Sequence, residues 1–128
     1  MCHQSVSLAA RHLETNGIAT VIMGSAKDIV EHCGVPRFVF SDFPLGNSAG
    51  RPNNPKSQRE TLSLALQTLE TASEPRTTVK SAQQWSADST WKDEFFSIEN
   101  VSPQELARRR AEFDQIKAVG KEIREQTP

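Results

Sequence analysis

The sequence predicts an α/β fold: a partial doubly wound, flavodoxin-like parallel sheet with flanking helices and a C-terminal helical arm. Three observations carry that expectation. Two short runs, "IATVIM" at 18–23 and "RFVF" at 37–40, are largely apolar and rich in β-branched or aromatic residues, as strands covered on both faces are. Segments with helical spacing precede and follow each run, the alternation that builds parallel sheets. A further helix pattern opens at Pro103, beyond a polar stretch.

Along the chain, Val6, Ala9, Ala10 and Leu13 share one face of a first helix over residues 4–15. Asn16-Gly17 stops it, because both residues tolerate a left-handed C-terminal conformation. "IATVIM" is the first strand and Gly24-Ser25 the turn out of it. "AKDIVEHC" supplies a short helix with Ala26, Ile29, Val30 and Cys33 inward, broken by Gly34-Val35-Pro36. "RFVF" is the second strand, and it runs into the long turn "SDFPLGNSAGRP".

Asn54-Pro55 reads as a helix cap followed by proline in the first turn. The helix after it places Leu62, Ala65, Leu66 and Leu69 on one face, the expected core face. These elements make an α/β domain over residues 1–71. Residues 72–101 are polar with scattered aromatics and predict an extended arm, with at most a short strand near 77–80; Trp85, Trp91, Phe95 and Phe96 are its expected anchors. Ser102-Pro103-Gln104-Glu105 is a capping box that opens a last helix over 102–128. Its narrow seam of Leu106, Phe113, Ile116, Val119 and Ile123 suits docking on the body or on another chain. Two strands are too few for a stable parallel sheet, so a partner chain, or more of a longer protein, is expected to complete it.

The 128 residues carry a formal net charge of −1 and a pI near 6.3, so there is no basic footprint for nucleic acid. Arg108-Arg109-Arg110 is followed by Glu112 and Asp114 and reads as a solvated helix face. No apolar run approaches the roughly 18 residues that span a bilayer. The N-terminus lacks a secretory pattern, and the expected location is the cytoplasm. Two cysteines, Cys2 and Cys33, are too few for a disulfide scaffold.

Cys2 stands at the start of the first helix, whose positive end favours a thiolate. His3 beside it is a candidate proton partner. Cys2, His3, His32 and Cys33 match no zinc spacing, so no metal site is expected. Gly24 and Ser25 lie where a strand feeds a helix, at the sheet edge where open α/β folds bind ligands. The long turn leaves the second strand at that same edge, which makes Asp42, Gly46, Asn47 and Arg51 candidate ligand-lining residues. Arg51 has the fork geometry for a carboxylate.

Taken together, "HLETNGIATVIMGSAKDIVEHCGVPRFVFSDFPLGNSAGRP" and the following "ETLSLALQTLE" resemble the C-terminal region of selenoprotein B-type chains. These belong to the glycine, sarcosine, betaine and D-proline reductase family. The helix ending in "NGI", the "GVPR" break and the "PLGN" turn carry the resemblance, which covers residues 2–71. It implies reductive cleavage of a C–N bond in an amino acid or related amine. The nucleophile in that family is a selenolate or thiolate in a redox motif just before the first helix, and Cys2 matches the last part of that motif. Cys2 would then be a resolving or auxiliary thiol with His3 as its proton partner.

No cofactor is implied within the chain; the family's selenocysteine or cysteine is expected upstream. A selenocysteine codon read as a stop, with a new start at Met1, would give a reading frame truncated just after the motif. The implied partners are a small amino-acid-like substrate and further copies or other reductase subunits, with neither nucleic acid nor membrane. Two other functions fit the residues. One is a two-cysteine racemase-like enzyme, which needs Cys2 and Cys33 on one pocket. The other is a non-catalytic, partner-binding subunit.

Overall fold

The computed structural model describes residues 2–96 and 102–126. Its elements are α1 (Cys2–Thr15), β1 (Ile22–Gly24), α2 (Lys27–Cys33), β2 (Arg37–Phe40), α3 (Pro55–Thr71), β3 (Thr77–Lys80), α4 (Thr90–Phe96) and α5 (Pro103–Gln126). They divide into two compact units after Ala87. The first unit holds the sheet, three parallel strands in the order β1-β2-β3. This is the mixed α/β class that the sequence predicts. The third strand comes from the segment expected as an extended arm, so the sheet has three strands rather than two.

In register, Ile22 lies beside Phe38 and Gly24 beside Phe40. Side chains alternate between faces along a strand, so Ile22, Phe38 and Phe40 share one face. Ala10 of α1, Val30 of α2 and Val35 close over them as the core. Val39, fully buried, points to the other face, where α3 packs on β2 and β1.

Local chemistry sets the helix ends. Gly17, at φ +80°, ends α1: its N–H donates to the Glu14 carbonyl and that of Ile18 to the Leu13 carbonyl, both 3.0 Å. This is the paired 5→2 and 6→1 arrangement of a left-handed stop. Gly34, also left-handed, ends α2. Asn54 Oδ1 accepts from Ser57 N–H at 3.0 Å with Pro55 behind it, and so starts α3.

Three packing expectations need correction besides that of Ile29 on α2, expected inward and found 39% exposed. α1 buries Ser7 and Ala10 and leaves Val6 and Leu13 exposed. α3 buries Ser57, Thr61, Ala65 and Thr68, while Leu62 and Leu66 stay half exposed at 51% and 52%. Helices faced with small side chains approach the sheet closely, and the buried hydroxyls leave no polar debt. Ser7 donates to the His3 carbonyl (2.6 Å), Thr61 to Ser57 (3.0 Å) and Thr68 to Leu64 (2.7 Å), each one turn back. In the third case β1 begins only at Ile22. The expected strand residue Ile18 caps α1 and is 53% exposed, and Thr20 is held by Glu14.

In the second unit Asp88 Oδ1 accepts from the N–H and hydroxyl of Thr90 at the start of α4, inside the stretch expected to be extended. Ser102 Oγ accepts from Glu105 N–H at 3.2 Å, so the capping box opens α5. Leu106, Phe113 and Val119 on α5 are exposed; the side chains of Phe95, Phe96, Ile116 and Ile123 lie outside the described set. No helix among the described residues is long and apolar enough to cross a membrane.

Candidate functional site at the carboxyl edge of the sheet

All three strands end at one edge, and each is followed by a serine: Ser25, Ser41 and Ser81. The register aligns Gly24 with Phe40 and Phe40 with Lys80, so these serines form a row. Ser41 N–H donates to the Gly24 carbonyl (2.9 Å) and Ser81 N–H to the Phe40 carbonyl (2.8 Å), which extends the ladder to the rim. The hydroxyls of Ser25 and Ser41 are buried and have no hydrogen-bond partner among the described residues. Ser41 and Ser81 were missed as site residues in the sequence; the readable signal is the serine that closes "VIMGS", "FVFS" and "TVKS".

The start of α1 reaches this rim beside β1. His3 Nε2 accepts from the N–H groups of Ser25 (3.1 Å) and Ala26 (3.4 Å). Ala26, the N-cap of α2, makes no side-chain cap bond, so the imidazole satisfies donors that a capping side chain would otherwise take. Gly24 makes room for this: a Cβ there would lie 2.9 Å from His3 Cδ2. The structure therefore brings His3, Gly24 and Ser25 together, with Cys2 exposed next to them. The Nε2 lone pair is committed to α2, so in this geometry His3 is a positioning residue. Taking a proton from Cys2 at that nitrogen requires it to release Ser25 and Ala26.

The long turn lies elsewhere on the edge. Pro44 O accepts from Asn47 N–H and from Asn47 Nδ2, each at 3.2 Å, with Gly46 at φ +94° inside the turn. Gly50, at φ +112°, passes so close to α3 that a Cβ would lie 2.8 Å from Gln58 Cα. Arg51 N–H donates to Ser57 Oγ at 3.0 Å, and its guanidinium donates to the Gln84 carbonyl. Gln83 bonds Ser57 and Thr61, and Trp85 packs edge-on against Phe43 at 5.4 Å between ring centroids. Arg51 thus holds the loop to α3 and to Gln84, Asn47 closes the turn on Pro44, and Asp42 follows the rim serine Ser41. The turn that carries "PLGN" is a clamp between β2, α3 and the chain after β3.

A cleft of about 730 Å³ opens between α3 and the end of β3, lined by Lys56, Glu60, Lys80, Ser81 and Gln83 with Arg59 at its side. A smaller one of about 280 Å³ adjoins it beside Arg51 and Asn54. Lys56 and Lys80 make no ion pair among the described residues, so the cleft is suited to an anionic group. β1 and β3 lie two strands apart, roughly 10 Å, so Cys2 and this cleft stand at opposite ends of the rim.

Cys33 ends α2 and is half buried, whereas His3 binds the N-terminal end of the same helix. Among the described residues no cluster of three metal-binding side chains occurs.

One ion pair secures the approach to the site. Glu14 Oε1 accepts from Arg37 Nη1 at 2.8 Å and from the N–H and hydroxyl of Thr20. Burial alone raises the Glu14 carboxyl pKa, but the Thr20 donors and the Arg37 charge outweigh it and hold the group below the usual glutamate range.

An α/β layer with a thiol-bearing helix at its carboxyl rim defines the class of site. The chain is 37% identical to the D-proline reductase subunit gamma of Acetoanaerobium sticklandii over 68 residues. The match takes in 53% of this chain and 28% of that protein, so the chain resembles the reductase family but spans little more than a quarter of the relative's length. No family model matches the chain, and no solved structure matches it.

Proposed function

We propose that the chain is a reductase-family domain that takes part in thiol- or selenol-dependent reductive C–N cleavage as one component of a larger assembly. The observation that carries this reading is the identity to the D-proline reductase gamma subunit; the exposed thiol at the carboxyl rim is consistent with it. A selenolate or thiolate from outside the described residues attacks the substrate carbon, and the amine departs with the bonding pair and takes up a proton. The Cys2 thiolate then attacks the new sulfur or selenium centre. The carbon leaves with the carbon–sulfur or carbon–selenium bonding pair and is protonated, and a disulfide or selenosulfide remains. The two electrons gained by the substrate are those lost in forming that bond, and a dithiol must restore it.

His3 holds the Cys2 helix against Gly24 and Ser25. Asp42, Gly46, Asn47 and Arg51 line or brace the substrate side of the rim. The partners are an amino-acid-like substrate and further copies or other reductase subunits, in the cytoplasm. The exposed leucines of α3 also favour a second reading, a partner-binding subunit without chemistry of its own.

The test is turnover by the native assembly isolated through a tag on this chain, with dithiothreitol as electron donor and proline, glycine, sarcosine or betaine as substrate. Cleavage of one of them, lost by at least about a hundredfold in Cys2→Ser, is the expected result. Cleavage unaffected by Cys2→Ser removes the thiol role. No cleavage of any of the four by an intact assembly favours the partner-binding reading.

A further inference from the structure

The outward side of α3 carries leucines among polar residues, where a surface helix is ordinarily polar throughout. Leu62 and Leu66 are each half exposed, Leu69 is only partly covered, and the side turned to the sheet carries Ser57, Thr61, Ala65 and Thr68 instead. Arg59, Leu62, Leu66 and Leu69 follow one another at intervals of three, four and three residues, the spacing of a two-helix seam. Arg59 stands at the N-terminal end of this stripe and Glu70 at its C-terminal end. Both are exposed and make no ion pair among the described residues. They stand eleven positions apart, roughly 16 Å along the axis, so they cannot pair within one helix.

We propose that α3 pairs antiparallel with α3 of a second copy of this chain across a two-fold axis. An isologous interface requires a patch complementary to itself, and this stripe meets that requirement. With the axis near Leu64, Leu62 of each copy faces Leu66 of the other. Arg59 reaches Leu69 and Glu70 of the other copy, so both ends of the seam carry an opposite-charge pair. A covering segment of unrelated sequence would have no need of opposite charges placed symmetrically about the leucines. The inference stands on this face alone and does not depend on the reductase reading.

The experiment is light scattering and sedimentation of the full chain from about 1 to 100 µM, a range that spans typical reversible dimers. The unmodified chain is expected to dimerise. Arg59→Glu and Glu70→Arg should each weaken the dimer by about tenfold or more, and the double variant should recover most of that loss, because charge reversal on both sides restores the pair. Leu66→Asp should give a monomer with unchanged circular dichroism, since the side chain is outside the core. A monomer at every concentration overturns the proposal. So does a dimer insensitive to Leu66→Asp, or charge reversals that fail to rescue one another.

Discussion

Glu14 joins two segments that give the chain its family likeness, since it lies in "HLETNGI" and its partner Arg37 in "GVPR". The carboxylate fixes the end of α1, the turn at Thr20 and the entry to β2 at once. Its pKa is lowered on folding, so its contribution is fully present above the unfolded value and is lost as pH falls through the folded one. Glu14→Gln should lower stability by about 1–2 kcal/mol at neutral pH, the scale of a lost charge-assisted hydrogen bond. It should also flatten the fall in stability below about pH 4, where an ordinary glutamate titrates. Denaturant melts of both proteins from pH 3 to 7 check this; parallel acid limbs would mean that other carboxylates set the acid sensitivity. Gly24 and Ser25 were legible at the edge because a strand feeding a helix marks it, whereas Cys2 was singled out only by its place at the start of α1. The capping role of His3 was not, because it rests on a contact across more than twenty residues of sequence.

At the scale of elements, signals confined to a few neighbours were readable and those set by packing were not. Asn16-Gly17, Gly34, Asn54-Pro55 and Ser102–Glu105 mark helix ends through bonds within one turn, and the structure makes those bonds. The orientations of α1 and α3 were misread because periodicity reveals an apolar stripe without saying what it faces. Here serine, threonine and alanine face the sheet, with the buried hydroxyls returning their hydrogen bonds to their own helices. The strand at Thr77–Lys80 was visible as a segment, while its place beside β2 depends on long-range pairing. The long turn yields a sharper expectation. At Gly50 both the positive φ and the approach of α3 exclude a side chain, so Gly50→Ala should cost about 2 kcal/mol or more. Gly46 has a positive φ but open space around it, so Gly46→Ala should cost about 1 kcal/mol, the strain term alone. Equal shifts in the two melts would show that the contact with α3 yields freely.

For the whole molecule, the sheet, its three helices and the clamp of Gln83, Gln84 and Trp85 all lie before Asp88. The expected boundary near residue 71 would sever β3 and that clamp from the strands they hold. A fragment of residues 1–87 retains every hydrogen bond of the rim, including those of Ser81 to Phe40 and of Gln83 to Thr61. It should therefore fold alone, with a thermal midpoint within a few degrees of that of the full chain. A fragment ending at residue 71 loses a strand of a three-stranded sheet and should fail to fold. The same fragments separate two sources of association. The sequence suggests a homodimer held by the aromatics and the α5 seam between residues 85 and 123, whereas the outward leucines of α3 place the seam inside the first unit. If α3 carries the contact, residues 1–87 dimerise with nearly the affinity of the full chain, and Phe113→Asp in the full chain changes nothing. If residues 1–87 fold as a monomer while the full chain dimerises, the contact belongs to α4 and α5.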